Sequence, residues 1–307
     1  MKKSRQSIST LVIIIVLLAI LCAVSPTFRA NVCEVLGIEP PERTEEPLAP
    51  DILSPEQAEV HIIDVGQGDS TLVRTDSFNL LIDAGTGKAE EKLVAYLKDV
   101  GVEKIDIMLL THPHEDHIGG ADVVIDEFEV GEIIMPDATT DTKAFERVLD
   151  GAENKNIPIS TVFRGDSFTE GGLKFDILSP DDKKYEDLNN TSIVLKLTYG
   201  EVSMMFTGDA EAIVEREILE AYSADELRSV FLKAGHHGSS TSNTEKFVEA
   251  VSPEYVSISC GVDNDYGHPH IEILELFEKQ KLDVKRTDLE GSFVYATDGK
   301  AFVPKEK

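Results

Sequence analysis

Thr111-His112-Pro113-His114-Glu115-Asp116-His117-Ile118-Gly119-Gly120 is the most informative stretch of this 307-residue chain. It places three imidazoles and the Asp116 carboxylate within six residues, directly after an apolar run that predicts a buried strand over 105–111. Imidazole and carboxylate groups are ligands for zinc and manganese. On a compact loop, His112 and His114 can point to one side and Asp116 and His117 to the other, which suits two adjacent metal ions. A merely solvated polar loop is the alternative, but such a loop rarely uses three histidines.

Most of the remaining histidines are clustered in the same way. Of the eight in the chain, only His61 stands alone, and we expect it to be a structural strand residue. His236-His237-Gly238-Ser239 follows a predicted strand over 230–233, and His268-Pro269-His270 follows another over 255–259. Loops just past strand ends are where binding and catalytic residues concentrate.

A further carboxylate ends the predicted strand 202–207, in Phe206-Thr207-Gly208-Asp209. The two oxygens of Asp209 allow it to bridge two ions. Alone, Asp209 would be interpreted as the N-cap of a helix beginning near Ala210. The histidine clusters favour the metal-bridging interpretation.

Strands and helices are interleaved along the chain, with hairpin-like strand pairs among them, which predicts two sheets covered by helices. Strands are predicted over 60–65, 70–74, 79–82, 105–111, 132–135, 159–163, 173–178, 192–199, 202–207, 230–233, 255–259, near 284 and over 292–296. Helices are predicted over 90–100, 119–128, 142–154, 210–221, 244–251 and 271–280.

The N-terminus has a different character. A basic start, Met1-Lys2-Lys3-Ser4-Arg5, precedes an apolar run over 11–24, a pattern typical of an export signal or signal anchor within residues 1–30. Pro26 directly follows the nearest cleavage-like site, which favours an uncleaved anchor. We therefore expect a cell-membrane protein with an extracytoplasmic domain, secreted if the segment is cleaved. A Pro/Glu-rich linker is predicted over 31–57 and a hydrolase domain over 58–307.

The chain is strongly acidic, with 57 Asp and Glu against 29 Lys and Arg and a formal charge of −28. A field of this sign repels polyanions and argues against a sequence-reading nucleic-acid binder. It does not exclude phosphoesters held locally by metal ions, because bound cations dominate the potential at their own site.

The order of the candidate ligands resembles that of the metallo-β-lactamase superfamily: His112-x-His114-x-Asp116-His117, then Gly208-Asp209 and His236, with Asp83 upstream in Leu81-Ile82-Asp83-Ala84-Gly85. The resemblance covers about residues 60–305. It implies an α+β fold, the αββα sandwich, with the metal ions at one edge of the two sheets.

Four further motifs resemble the hydrolase domain of ComEC/Rec2-type competence proteins. They are Asp64-Val65-Gly66-Gln67-Gly68-Asp69-Ser70, Asn190-Thr191-Ser192-Ile193-Val194-Leu195, His236-His237-Gly238-Ser239-Ser240 and Gly267-His268-Pro269. Those proteins carry this domain behind a many-helix DNA channel. This chain lacks that channel, so it resembles a stand-alone, exported version, and DNA uptake is not inferred.

The resemblance also implies roles for individual residues. The expected ligands of two divalent ions, zinc or manganese, are His112, His114, Asp116, His117, Asp209 and His236, with the last four serving the second ion through Asp209 as the bridge. Asp116 and His268 are the expected catalytic residues, His268 protonating the leaving oxygen or holding the phosphate. Asp83 would fix a ligand imidazole, and Asn190, His237 and Ser239 would lie beside the ions or contact substrate.

One departure from the family pattern bears on the metal. No histidine lies between His117 and His236, where the superfamily usually supplies one, and Asn190 is near that place. The more oxygen-rich first site favours manganese over zinc.

The expected activity is metal-assisted hydrolysis of a phosphodiester, with nucleic acid or a cell-surface phosphodiester as the substrate class. Hydrolysis of a lactam, lactone or thioester is the first alternative, and a metal-free binding domain is the second. The membrane is the expected partner of the N-terminal segment, and no obligate protein partner is predicted.

Overall fold

Short β-rich segments build two sheets in the computed structural model, which describes residues 57–305. The strands, numbered along the chain, are β1 Ala58–Ile62, β2 Thr71–Arg74, β3 Asn79–Ile82, β4 Lys104–Leu109, β5 Glu129–Ile134, β6 Ile159–Ser160, β7 Ser167–Glu170, β8 Leu173–Ser179, β9 Val194–Tyr199, β10 Val202–Phe206, β11 Phe231–Lys233, β12 Tyr255–Ile258, β13 Asp283–Arg286, β14 Phe293–Thr297 and β15 Phe302–Pro304.

Helices separate many of these strands. They are α1 Glu90–Asp99, α2 Glu115–Ile118, α3 Ala121–Glu127, α4 Lys143–Lys155, α5 Ala212–Ala221, α6 Ala224–Leu227, α7 Glu245–Val251, α8 Ile271–Lys279 and α9 Thr287–Glu290. Two short 3₁₀ turns cover Leu188–Thr191 and Gly235–Gly238.

Both sheets are mixed. The first has the order β15-β14-β1-β2-β3-β4-β5-β6, with parallel pairing from β3 to β6 and antiparallel pairing elsewhere. The second has the order β13-β12-β11-β10-β9-β8-β7, with parallel pairing from β10 to β13. Parallel strands bring their carboxyl ends to one edge of a sheet, so each sheet collects its loops there.

Three apolar layers hold the sheets and helices together. In β4, Ile107 and Leu109 point into the layer between the sheets, where they join residues such as Leu195 and Phe206 of the second sheet. Met108 points to the opposite face and packs in the layer that contains residues of α1, α3 and α4. A third layer joins the second sheet to α5, α7 and α8. The order helix, sheet, sheet, helix confirms the predicted αββα sandwich.

One hydrogen bond ties the two sheets together beside the candidate site. The N–H of Ile193, just before β9, donates to the carbonyl oxygen of Thr111, just after β4, at 2.9 Å. The residues that follow β4 are thereby brought next to the second sheet.

The predicted membrane location is corrected. The anchor expected within residues 1–30 lies outside the described residues, as does nearly all of the predicted linker. Across residues 57–305, no helix has both the length and the apolar character needed to cross a bilayer. The described part of the chain thus gives no membrane span, and the assignment to the cell membrane with an extracytoplasmic domain is wrong on this finding.

Candidate metal centre

Loops that follow strands of both sheets converge on one buried cluster of imidazoles and carboxylates. The first sheet contributes Asp83 after β3 and the segment 112–117 after β4, whereas the second sheet contributes Asp209 after β10 and His237 after β11. The imidazoles and carboxylates of Asp83, His112, His117, Asp209 and His237 are buried, those of His114 and Asp116 are partly accessible, and Glu115 is exposed. Residues far apart in the chain therefore form one site at the meeting edge of the two sheets.

Four of these residues form a compact ligand group. One ligand atom each from Asp116, His117, Asp209 and His237 lies within 4.8 Å of the others. Nε2 of His117 is 3.2 Å from Oδ1 of Asp209, and Nε2 of His237 is 3.2 Å from Oδ2 of Asp116. These separations suit atoms that share one cation at about 2.1 Å each.

In His117 and His237, the ring nitrogen that does not face the ligand group, Nδ1, makes a hydrogen bond that fixes the ring. Nδ1 of His117 donates to Oδ2 of Asp83 at 2.8 Å, and Nδ1 of His237 donates to the carbonyl oxygen of Ser259 at 2.9 Å. Asp83 is itself fixed by Thr111, whose N–H and hydroxyl donate to its two oxygens. A proton at Nδ1 leaves the lone pair of Nε2 free, which is the tautomer that a metal-binding imidazole requires.

Two buried atoms of the group lack a hydrogen-bond partner. Within the described residues, neither Nε2 of His117 nor Oδ1 of Asp209 makes a hydrogen bond of normal geometry, although the two atoms face each other at 3.2 Å. A buried polar atom without a partner costs about 1–3 kcal/mol. A divalent cation between these atoms would satisfy both, so the donor set fits the metal that the sequence predicts.

The charges of the cluster are mutually dependent. Burial alone would raise the pKa of Asp209, but His117 and His237 beside it hold this pKa well below its usual range. Burial likewise would lower the pKa of His117, but Asp209 and Asp83 hold it well above the usual value. Burial and the neighbouring His117 push the pKa of His112 well below normal, so His112 is neutral and able to bind a metal.

The residues predicted for the first ion lie at the margin of this group. Nε2 of His112 is 3.0 Å from Nδ1 of His114 and 3.8 Å from Oδ2 of Asp209. The same Asp209 oxygen is 3.6 Å from Nε2 of His236. Oδ1 of Asp209 thus faces His117, whereas Oδ2 faces His112, His236 and also His237 at 3.8 Å. His112 and His114 are outside the compact ligand group.

The two adjacent histidines His236 and His237 lie at different places in the site. His237, expected to contact substrate, completes the compact group, whereas His236, expected as a ligand of the second ion, lies outside this group. Both residues have left-handed backbone angles, with φ of 49° and 54°. With these angles both rings face Oδ2 of Asp209, which is 3.6 Å from Nε2 of His236 and 3.8 Å from Nε2 of His237.

Two of the other predicted residues are engaged elsewhere. Asn190 exchanges hydrogen bonds with Glu211, through its amide nitrogen at 3.0 Å and its oxygen at 3.2 Å. The Ser239 hydroxyl lies 3.2 Å from that of Thr241, which in turn contacts Nδ1 of His236 at 3.1 Å. Both therefore support the loops of the site without lying in the ligand group.

His268 lies beside the centre. Its ring centroid is 5.4 Å from that of His236 and 6.0 Å from that of His237. Burial and these two histidines lower the pKa of His268 to about 4. The neutral ring can offer a hydrogen bond to a phosphate oxygen. Its role as proton donor to the leaving group stays a prediction.

Sequence reasoning missed one buried ion pair. Nζ of Lys233 donates to Oδ2 of Asp69 at 2.8 Å, and both side chains are almost fully buried. An Asp69 oxygen also lies within 4.8 Å of ligand atoms of Asp83 and His117. The Gly66-Gln67-Gly68-Asp69 turn was visible in the sequence, but nothing there indicated that a lysine at the end of an apolar strand faces it.

Comparison with known proteins agrees with this geometry. A family model described as the metallo-beta-lactamase superfamily matches residues 63–262. The chain is 32% identical over 257 residues to ComE operon protein 3 of Bacillus subtilis, covering 78% of this chain and 33% of that protein. It is 32% identical over 247 residues to competence protein ComA of Neisseria gonorrhoeae, covering 80% of this chain and 33% of that one.

A comparison with solved structures shows the same fold. The metallo-beta-lactamase fold protein YhfI from Bacillus subtilis superposes with a TM-score of 0.52 at 15% identity, over 78% of this chain and 99% of that chain. The two competence-protein relatives confirm the predicted resemblance to that group. The chain spans about a third of the length of the two competence relatives.

Proposed function

Because this chain belongs to the metallo-β-lactamase superfamily, we propose that it is a metal-dependent hydrolase whose substrates are phosphodiesters. The observation that carries the proposal is the compact group of Asp116, His117, Asp209 and His237, with its two unpartnered buried atoms. The likeness to competence proteins supports a phosphodiester over other bonds.

The residues divide between two cations. Asp116, His117 and His237 would hold one ion, His112 and His114 would hold the other, and Asp209 would bridge them. A bound pair of divalent cations supplies Lewis acidity and an activated water. Asp83 and the Ser259 carbonyl keep the imidazoles of His117 and His237 in the tautomer that binds metal.

The surroundings of the site suit an anionic substrate. Lys233 neutralises Asp69, so Asp83, Asp116 and Asp209 remain as three negative charges around the imidazoles. Two divalent cations would offset these charges and remove the repulsion that an anion would otherwise meet. The neutral ring of His268 is placed to donate a hydrogen bond to an oxygen of a phosphodiester.

The ion held by Asp116, His117, His237 and Asp209 would have two carboxylates among its ligands, and hard oxygen ligands of this kind favour manganese over zinc. Elemental analysis of protein purified without added metal would measure the occupancy of each. Activity restored to chelator-treated protein by manganese more than by zinc would agree. Restoration by zinc alone would contradict this assignment but leave the hydrolase proposal intact.

A single assay tests the activity. The full chain is stripped with EDTA, reconstituted with Mn²⁺ or Zn²⁺, and offered bis(p-nitrophenyl) phosphate or nitrocefin. We expect hydrolysis of the phosphodiester, lost by about 100-fold or more in Asp209→Asn because the ions lose a shared ligand. Asp176→Asn, which changes a carboxylate of strand β8 paired with Lys174, is the matched control and should retain activity. Turnover of nitrocefin without phosphodiester hydrolysis would refute the proposal.

A further inference from the structure

The loop between β12 and α8 exposes an aromatic ring next to the candidate metal centre. The Tyr266 side chain is 66% exposed, and its ring lies nearly parallel to that of His268, with an interplanar angle of 19° and centroids 5.7 Å apart. The His268 ring in turn contacts those of His236 and His237. A series of rings thus leads from the centre to the open face of Tyr266.

This loop is held in shape by its own hydrogen bonds. The side chain of Asn264 donates to the carbonyl oxygens of Gly261 and His268 and accepts the N–H of His268. Nε2 of His270 contacts the carbonyl oxygen of Tyr266 at 3.3 Å. A ligand that stacks on Tyr266 would therefore meet a surface that is already ordered, which lowers the entropy cost of binding.

The charge of the same loop is negative. Residues 261–271 contain Asp263 and Asp265, both exposed, and no lysine or arginine. Val262 and Ile271, at the two ends of the segment, are exposed apolar side chains at 69% and 63%. The surface beside the centre is therefore aromatic, apolar and acidic.

On the basis of the proposed function, we propose that Tyr266 is a stacking platform that selects small phosphodiesters that carry a single negative charge and bear a nucleobase on the group that is not the leaving group. A base stacks on an aromatic ring without needing a cation, so the acidic loop does not oppose it. Cations held by the residues of the candidate metal centre would supply the positive charge for the one phosphate that is cleaved.

The same surface disfavours polymers. A nucleic-acid chain places further phosphates next to the scissile one, and proteins that bind such chains neutralise them with lysine and arginine. Here the neighbouring phosphates would meet Asp263 and Asp265 on a chain of net charge −28. Repulsion between exposed charges is screened by salt. Cleavage of a polymer should therefore be slow at low salt and faster at high salt, opposite to the behaviour of a basic nuclease.

The first test compares two substrates that share a leaving group and a single charge: p-nitrophenyl methyl phosphate and thymidine 5′-(p-nitrophenyl phosphate). We expect kcat/KM for the thymidine ester to exceed that for the methyl ester by about 5- to 150-fold, the range that one base–aromatic stack contributes. Tyr266→Phe should keep this ratio, and Tyr266→Ala should reduce it toward one. Val303→Ala, which truncates an exposed apolar residue of strand β15, should leave the ratio unchanged.

The second test compares thymidine dinucleotide with a decathymidine strand at low and moderate salt. We expect the dinucleotide to be cleaved faster per bond and the decamer rate to rise with salt. The double variant Asp263→Asn/Asp265→Asn should increase the decamer rate at low salt. Asparagine also suits position 263, where φ is 50°.

The outcomes separate this proposal from the one on which it rests. If neither ester is hydrolysed, the phosphodiesterase proposal fails and the platform fails with it. If both esters are hydrolysed with a ratio near one, or if Tyr266→Ala keeps the wild-type ratio, only the platform is overturned. A decamer cleaved faster than the dinucleotide, with a rate that falls as salt rises, would overturn the selection against polymers.

Discussion

Replacing Asn243 by alanine should destabilise the loop that carries His236 and His237. The Asn243 side chain is buried, accepts the N–H of Gly235 at 2.8 Å, and donates to the carbonyl oxygens of Gly235 at 2.9 Å and Ser239 at 3.3 Å. It therefore ties together the residues on either side of the two histidines. Alanine would remove the partner of the two Gly235 groups in a buried environment, whereas the Ser239 carbonyl oxygen would still accept the N–H of Ser242 at 3.2 Å.

The expected magnitude follows from the two bonds to Gly235. A buried polar group left without a partner costs about 1–3 kcal/mol, and partial relaxation of the loop reduces the sum, so we expect these bonds to account for a loss of about 2–4 kcal/mol in the free energy of unfolding. Asn243 also has a left-handed backbone with φ of 61°, which alanine adopts less readily than asparagine at a cost of up to about 1 kcal/mol.

A second asparagine separates these two contributions. Asn156 ends helix α4 with φ of 55° and is exposed. Asn156→Ala therefore measures the backbone cost without the loss of buried hydrogen bonds. Urea unfolding of both variants in EDTA gives the difference, which we expect to be about 2–4 kcal/mol.

Asn243→Ala should also weaken metal binding, because the backbone angles of His236 and His237 depend on the hydrogen bonds that Asn243 makes. A loss of about 10- to 100-fold in affinity is expected, as for other residues that support metal ligands, measured by competition with a chromophoric chelator. If Asn243→Ala and Asn156→Ala lose equal stability and bind metal as the wild type does, the reasoning that Asn243 holds the loop is refuted.

Three further predictions concern buried charges. Lys233→Met should lower the free energy of unfolding in urea by about 3–5 kcal/mol, because it leaves Asp69 buried and unpaired. The double variant Lys233→Met/Asp69→Leu should regain most of this loss. A double variant no more stable than the single one would contradict the pairing. Burial raises the pKa of Glu215 to about 7 from 4.5 in the unfolded chain, so its contribution to stability is present below about pH 4.5 and is lost as pH rises through 7. The unfolding free energy of the wild type, relative to Glu215→Gln, should therefore fall by up to about 3 kcal/mol between pH 4.5 and 8 in chelator, and a difference that does not change with pH would argue against this. Asp83→Asn should lower metal affinity by about 10- to 100-fold in a chelator competition, because the amide holds the His117 tautomer less firmly; unchanged affinity would show that Asp83 does not have this role.

The residues of the site that could be predicted from the sequence are those that belong to short local patterns in the chain. The segment 112–117 was visible because its ligands are nearly contiguous, and Asp83 and Asp209 were visible because each follows an apolar strand. The roles of His236 and His237 could not be separated, since their side-chain directions depend on two consecutive left-handed residues that Asn243 holds from seven residues away. Local preferences give no sign of such a tertiary constraint.

The missed elements have similar causes. Strand β7 is polar and largely exposed at a sheet edge, so it lacks the apolar alternation by which strands are recognised. The strand predicted over 159–163 ends at Ser160, because β6 pairs with β5 through only two residues. A buried lysine such as Lys233 runs against the general preference for exposure, and only its contact with a carboxylate from the other sheet explains it.

The features that oppose stability are concentrated where the strands of both sheets end. There the chain keeps two left-handed histidines, a buried Lys233–Asp69 pair and the unpartnered atoms of His117 and Asp209. Each would be removed by selection for stability alone, since apolar residues and ordinary turns fill such positions at lower cost. Their joint presence around one point is explained if a cation bound there satisfies them together. Local conflicts of this kind are expected at functional sites, where the ligand-bound state is the one under selection.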